Sequence, residues 1–314
     1  MHLAKQQTPV MATELDEYSP APISEAAPLP RFLATWRPLA MPALMFVTLL
    51  AVLYWSVAVN LVHQWWSDEN YSHGFLVPLF SGYLVWRRRG ALTPMPVRRH
   101  WIGWPVLVFG LGCLVIGDLA AENFLQRSSL IVVVAGLVLV NLGTSAFRLV
   151  AFPLAYLFFM IPMPATIFYK LAFPLQMLAA ANSAAVLDLL GVPVLLDGNV
   201  IHLSRVTLGV AEACSGIRSL ISLLALAVAW AYLTLPSLLP MAVLVAAAIP
   251  ITIAANAARI VITGLIGQSF GMQYAQGFFH TFSGWLIFIV AFVGLLAVHS
   301  LIRVVPLAWR RARA

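Results

Sequence analysis

Long apolar stretches recur along almost the whole chain, and they constrain its fold more than any other feature of the sequence. About 20 mostly apolar residues, at ~1.5 Å each in a helix, span the ~30 Å hydrocarbon core of a bilayer. The segments that meet this length run roughly 40–62, 101–117, 129–147, 149–169, 217–235, 241–264 and 282–302, and a shorter one, 70–86, reaches the lower limit. Only 9% of the residues are charged, whereas a soluble domain carries about 25%. The sequence therefore predicts an all-α polytopic membrane protein of about eight transmembrane helices.

Two further elements are predicted between the fifth and sixth of these helices. Segment 171–190 contains a proline, two side-chain amides and a carboxylate, so it is predicted to be an interfacial or re-entrant helix. The connection 191–213 includes VPVLLDGNVIHLSRVTL, in which β-branched runs flank an Asp-Gly-Asn turn. This pattern predicts a small hairpin on the outer face of the membrane.

The basic residues predict the orientation of the helices. Lys and Arg accumulate in cytoplasmic loops, and the loop 87–100 carries five arginines while the C-terminal end carries four. Both termini are therefore predicted to be cytoplasmic, with residues 1–38 a polar, proline-containing disordered tail, residues 39–303 the transmembrane domain, and residues 304–314 a basic tail. The basic residues are dispersed in short loops and form no folded basic face, so no nucleic-acid partner is expected.

This topology brings three residues that are far apart in sequence to the outer face. Cys214 precedes the sixth span, Arg259 lies near the outer end of the seventh, and His280 lies just ahead of the eighth. A thiolate that attacks a carbonyl, an imidazole that transfers the proton and a cation that stabilises the oxyanion together permit acyl transfer. A helix N-terminus and Arg218, one turn further on, would favour the thiolate.

Plainer roles remain open for the same residues. A single cysteine in a membrane helix is usually a small packing residue, and Cys214 could also form a disulfide with Cys113 if Cys113 were not buried in lipid. His280 could be an interfacial histidine, and Arg259 or Arg218 could extend to the head groups. Glu212 could simply cap a helix N-terminus.

Five ordered blocks resemble the exosortase/archaeosortase family. Three of them, AEACSGIRSL, NAARIVITG and HTFSGW, resemble its signature blocks in order and spacing. Further upstream, WWSDENYSHGFLVPLFSGYLVWRRR (65–89) resembles its N-terminal block, and FFMIPMP (158–164) resembles its mid-chain proline motif. The resemblance covers roughly residues 40–303.

The resemblance implies a membrane cysteine protease/transpeptidase in a bacterial cytoplasmic membrane, with its active site facing the periplasm. Cys214 would be the nucleophile, His280 the acid/base and Arg259 the third catalytic residue. The partners would be exported proteins with a C-terminal sorting signal, which consists of a short motif such as Pro-Glu-Pro, one membrane helix and an Arg-rich end. The residues predicted to be auxiliary or substrate-binding are Glu212, Arg218, Asn256 and His73; for His73, a structural role is the leading interpretation.

Asp68 and Glu69, beside Trp65 and Trp66, are predicted to be solvated charges in an interfacial aromatic belt, with contact to a substrate motif as the alternative.

Other classes of function fit the sequence less well. A transporter, or an accessory subunit for exopolysaccharide export, predicts broken helices in matching halves of the chain, and Pro250 and Asn256 have no counterpart in the first half. Thiol redox chemistry needs cysteines that lie close together. The histidines show no metal-ligand spacing, so neither a metal nor another cofactor is predicted.

Overall fold

The computed structural model describes residues 44–92, 100–210, 216–271 and 278–312, together with residues 41 and 273. Within these ranges, the side chains of residues 216–217, 278–281 and 305–312 are not described. Cys214 and Glu212, two of the predicted site residues, therefore lie outside the described residues.

Helices make up most of the described chain. They are α1 Leu44–Leu53, α2 Trp55–Ser67, α3 Leu76–Arg87, α4 Arg89–Leu92, α5 Gly103–Leu119, α6 Asn123–Asn141, α7 Gly143–Tyr156, α8 Ala165–Leu189, α9 Gly216–Thr234, α10 Leu238–Phe270 and α11 Phe278–Ala312. Two short 3-10 helices, Glu69–Phe75 and Leu157–Met160, precede α3 and follow α7. The strands are β1 Val194–Asp197, β2 Val200–Leu203 and β3 Thr207–Gly209.

Several described helices satisfy the length and hydropathy that a membrane span requires. Five qualify, namely α6, α7 with its 3-10 extension, α8, α10 and the Phe282–Val304 part of α11. The helices α1 and α2, which meet at a 68° bend, make a sixth if they count as one span. Gly103–Leu119 and Arg218–Thr234 are apolar but shorter. The all-α polytopic membrane class is thus confirmed.

Two predicted segments are interrupted in the structure. Segment 70–86 is not one helix, because it begins as the 3-10 helix Glu69–Phe75 and continues as the 12-residue α3. Segment 40–62 bends at Tyr54, whose buried side chain lies 2.9 Å from Ser129 Oγ on α6. Hydropathy does not detect the bend at Tyr54, since apolar residues continue through it, whereas the 3-10 helix has the more polar sequence ENYSHGF.

The predicted boundary between segments 149–169 and 171–190 is wrong. Residues 161–164 are not helical, and α8 begins at Ala165. Pro162 and Pro164 cause the break, because proline lacks a backbone N–H and disfavours helix in the residue before it. The second segment is therefore a 25-residue helix.

Helix α8 packs against one half of the bundle formed by α9, α10 and α11. Its Phe168 ring lies 6.4 Å from the Tyr71 ring, and Ser183 Oγ donates to the Ala257 carbonyl oxygen 3.2 Å away. The other half of the bundle has its own core around Leu235, Leu244 and Leu295, and no described residue of α8 joins that core. The interfacial or re-entrant placement of α8 stays a prediction, and by length and composition α8 qualifies as a span.

The predicted hairpin is present and has a third strand. Strands β1, β2 and β3 pair antiparallel in that order, with Leu196 opposite Ile201 and Ile201 opposite Leu208. The inward side chains of the sheet are fully buried against α8 and against Ile260 and Val261 of α10. The sheet is therefore fixed directly beyond Arg259 along α10.

Candidate functional site

One face of α10 carries the polar residues of the candidate site. Thr252, Asn256 and Arg259 follow each other at intervals of four and three residues, which places them along one side of the helix. All three are buried, with Asn256 8% and Arg259 7% exposed. A charged residue within a membrane helix usually faces the protein interior and marks a functional site.

Arg259 is held against α11. Its Nε donates to Ser283 Oγ at 3.3 Å. The next residue, Gly284, has no side chain, and a Cβ built there would lie only 3.3 Å from Arg259 Nη2. The serine therefore anchors the guanidinium, and the glycine leaves room for it.

A small cavity opens where α9, α10 and α11 meet. It is lined by Ser219 of α9, by Thr252, Ala255, Asn256 and Arg259 of α10, and by Gly284, Ile287, Phe288 and Ala291 of α11. Polar groups from α9 and α10 thus share one space with apolar walls. The arrangement suits a few directed hydrogen bonds to a small polar group.

The side-chain amide of Asn256 has no hydrogen-bond partner among the described residues. Most buried polar groups in proteins are paired. Thr252, one turn away, differs because its hydroxyl donates to the Ala248 carbonyl oxygen at 2.7 Å. The two neighbouring polar side chains on this face of α10 therefore differ in pairing, while Ser128, Trp230 and His299 elsewhere in the described chain also carry buried side-chain atoms without a partner.

The 3-10 helix Glu69–Phe75 is tied to the first turns of α9. Arg218 forms an ion pair with Glu69 and donates through Nε to Asn70 Oδ1 at 3.3 Å. One turn further along α9, Ser222 Oγ lies 3.3 Å from His73 Nδ1. Both predicted auxiliary residues, Arg218 and His73, thus belong to one connection between these helices.

Side chains of the same region also form hydrogen bonds to the backbone that follows α7. His73 Nε2 lies 3.1 Å from the Phe159 carbonyl oxygen, so Nε2 must carry the proton and Nδ1 then accepts from Ser222. Trp65 Nε1 donates to the Met160 carbonyl oxygen at 2.8 Å, and the Tyr71 hydroxyl accepts from Met163 N at 3.3 Å. Three side chains therefore fix the backbone between residues 159 and 163.

The interpretation of residues 65–69 as an aromatic belt with solvated charges needs correction. Trp65 is only 7% exposed and packs edge-on against Phe75, whereas Trp66 is 84% exposed. Glu69 is solvent-accessible but paired with Arg218, and Asp68 Oδ1 accepts from the backbone N of Asn70 at 2.9 Å. Only Trp66 therefore has the exposure expected of a belt residue.

The predicted site residues divide into four groups. Arg259 and Asn256 line one cavity. Arg218 of α9 and His73 of the 3-10 helix both take part in the contact between these two elements. His280 lies in the first turn of α11, where the backbone is described but its side chain is not. Cys214 and Glu212 are outside the described residues.

Sequence reasoning missed the polar residues that support the predicted ones. Ser283 binds Arg259, Ser222 binds His73, and Glu69 binds Arg218. Ser283 lies inside the HTFSGW block and Glu69 inside the 65–89 block, so the blocks themselves were the available signal. The pairings join residues up to 149 positions apart, which no local pattern reveals.

Two further observations concern metal binding and free thiols in the described part of the chain. Among the described residues, no three His, Cys, Asp or Glu side chains lie close enough together to bind one metal ion. Cys113 is a free, partly buried thiol on α5.

Comparison with known proteins gives one match. A family model described as transmembrane exosortase matches residues 65–297, which include the 3-10 helix Glu69–Phe75, the cavity and all three signature blocks. No curated protein and no solved structure matches the chain.

Proposed function

The chain belongs to the transmembrane exosortase family, and on that premise we propose that it is a cysteine protease/transpeptidase that cleaves C-terminal sorting signals of exported proteins. The observation that carries the proposal is the convergence of the three signature blocks on one cavity. Ser219 comes from the first block, Asn256 and Arg259 from the second, and Gly284 from the third.

Chain connectivity supports Cys214 as the nucleophile. Cys214 precedes Gly216, the first residue of α9, by two positions, so its Cα lies within about 7.6 Å of the Gly216 Cα. Ser219, in the first turn of α9, already lines the cavity. The short separation in sequence between Cys214 and Ser219 therefore supports a nucleophile at position 214.

Helical periodicity supports His280 as the acid/base. His280 precedes Ser283 by three residues and Gly284 by four, and residues at these spacings lie on one face of a helix. Ser283 and Gly284 of α11 lie beside Arg259. The spacing therefore supports the assignment of His280 to the same site.

The proposed reaction is acyl transfer. His280 takes the thiol proton, and the thiolate of Cys214 adds to the carbonyl carbon of the scissile peptide, which forms a C–S bond and moves the π electron pair onto the oxygen. When this oxyanion collapses, the C–N bond breaks and the amine leaves with the proton from His280. Water or an acceptor amine then attacks the thioester and releases Cys214. Arg259 supplies a fixed positive charge for the oxyanion.

The proposed substrates are exported proteins that end in a Pro-Glu-Pro-like motif, a membrane helix and an Arg-rich tail. A substrate helix in the same bilayer would present its motif at a fixed depth, and confinement to two dimensions supplies proximity without a deep binding pocket. We place the site on the periplasmic face and both termini in the cytoplasm, because most basic residues then lie in cytoplasmic loops and tails.

The test uses the two cysteines of the chain as a matched pair. A reporter protein that ends in motif, membrane helix and Arg-rich tail is expressed with the wild-type chain, with Cys214→Ala or with Cys113→Ala. We expect precursor to accumulate on a gel only with Cys214→Ala, since Cys113 is distant in sequence from all three blocks. Normal processing by the Cys214→Ala variant would contradict the proposal.

A further inference from the structure

We propose that Asn256 is a catalytic residue whose side-chain amide donates a hydrogen bond to the oxyanion of the tetrahedral intermediate, together with Arg259. This inference rests on the proposed function and adds a residue to it. It assigns the cavity between α9, α10 and α11 as the place where the substrate carbonyl oxygen is held.

The hydrogen bonding of the Asn256 side-chain amide in the resting protein supports this role. Asn256 is 8% exposed, lines the cavity, and forms no hydrogen bond with another described residue. Its Nδ2 group carries two donors. A donor that has no acceptor in the resting protein can bind a new one without first breaking an existing bond.

The position of Asn256 relative to Arg259 also supports this role. The two residues are three positions apart on one helix, so they lie on the same face and border the same cavity. Ser283 fixes the guanidinium through Nε, and the helix backbone fixes Asn256. Two donors held by rigid elements at the border of one cavity are suited to stabilise a developing oxyanion.

The surroundings of the Asn256 amide and the Arg259 guanidinium also support this role. The remaining walls of the cavity include Ile287, Phe288 and Ala291 of α11, which are apolar. Hydrogen bonds to a charged oxygen are stronger in such surroundings than in water. The oxygen becomes charged only when the C–S bond forms and the carbonyl π electrons move onto it, and it loses that charge when the C–N bond breaks. The amide therefore stabilises the transition state more than the bound substrate.

The test compares three variants, all in a Cys113→Ala background in which Cys214 is the one remaining thiol. Asn256→Asp keeps the shape of the side chain but removes both N–H donors, and Asn256→Ala removes the side chain. The control, Asn141→Asp, makes the same change at an asparagine of α6 whose amide donates to the Leu137 carbonyl oxygen outside the cavity. Cleavage of the reporter is measured in detergent as kcat and KM, and alkylation of Cys214 by iodoacetamide reports whether the site is intact.

We expect kcat to fall about 10²–10³-fold in both Asn256 variants, with KM within about threefold of the parent and alkylation unchanged. Asn141→Asp, the same chemical change outside the cavity, should retain the parent kcat. A kcat within about threefold of the parent in Asn256→Asp, or a loss confined to KM, would overturn the inference. A loss of alkylation in step with cleavage in Asn256→Asp would also overturn it, because the role would then be structural.

The parallel Cys214→Ala variant separates this inference from the proposed function. If Cys214→Ala is inactive and Asn256→Asp is active, only the role of Asn256 is wrong. If Cys214→Ala cleaves normally, the proposed reaction itself is wrong.

Discussion

The 3-10 helix Glu69–Phe75 and the inner face of α10 both place polar side chains between helices, but they differ in how those side chains are paired. In the first region Trp65, Tyr71 and His73 each bind a backbone group of residues 159–163, and Arg218 binds both Glu69 and Asn70. In the second region, Asn256 borders a cavity without a partner among the described residues. One region is saturated with internal hydrogen bonds, and the other keeps a donor available.

This difference distinguishes residues that stabilise the structure from a residue that we propose acts in catalysis. A buried polar network in which every member is paired makes the surrounding structure rigid, and here it fixes the first turns of α9 and the chain after α7. A polar side chain that borders a cavity and makes no internal hydrogen bond is available to bind a substrate group, which is the role proposed for Asn256. We therefore expect substitutions in the first region to reduce stability, and substitutions at Asn256 to reduce the rate of cleavage.

The largest loss of stability should come from Trp65. Trp65→Ala removes a buried ring and its hydrogen bond to Met160, which should lower the free energy of unfolding by about 3–5 kcal/mol. The neighbouring Trp66 is a matched control, because it is 84% exposed and its replacement by alanine should change stability by about 0.5 kcal/mol or less. Thermal unfolding in detergent measures both. Equal melting temperatures for the two variants would contradict a structural role for the network.

An intermediate loss is expected at His73. His73→Leu leaves the Phe159 carbonyl oxygen and the Ser222 hydroxyl without their partner, at a cost of about 1–3 kcal/mol. His63→Leu, at an exposed position, is the control. Thermal unfolding measures the loss, and the cleavage rate per folded molecule should stay near the wild-type value. A fall in that rate without a fall in melting temperature would instead favour direct contact of His73 with substrate.

The smallest effect should come from the ion pair between Glu69 and Arg218. The Glu69 side chain is 78% exposed, and exposed pairs contribute about 0.2–1 kcal/mol, less at high salt. A double-mutant cycle of Glu69→Gln and Arg218→Gln, measured by thermal unfolding at low and high salt, gives the coupling directly. The reversed pair, Glu69→Arg with Arg218→Glu, should recover most of it. A coupling that does not depend on salt would mean that the pair is not governed by solvent-exposed electrostatics.

Much of the architecture could be predicted from the sequence because the hydrophobic effect acts on local patterns. Runs of apolar residues identified the main helices, and the alternating residues around Asp197 and Gly198 identified the hairpin. The break at residues 161–164 was placed too late in the chain, because Pro162 and Pro164 interrupt the helix without lowering the local hydropathy. The burial of Trp65 could not be predicted, since a buried and an interfacial tryptophan look alike in sequence.

The candidate site was predictable only in part, for a related reason. A buried arginine in a span is unusual enough to identify, and Arg259 is buried as expected. The partners of such residues come from distant parts of the chain, as Ser222 does for His73 and Glu69 for Arg218. Likewise, the unpaired state of Asn256 depends on which side chains do not reach it. That is a property of the packed helices and leaves no trace in the sequence around it.

The length of α10 has a consequence for any substrate. The helix has 33 residues, and Arg259 is 21 residues beyond Leu238 (259 − 238 = 21), or about 32 Å along the axis. This distance is close to the thickness of the hydrocarbon core, so a helix that enters the core at Leu238 carries Arg259 to the opposite interface. The last 11 residues (270 − 259 = 11) continue past Arg259 beside the sheet. On the proposed function, the scissile peptide bond would therefore have to lie at the depth of that interface.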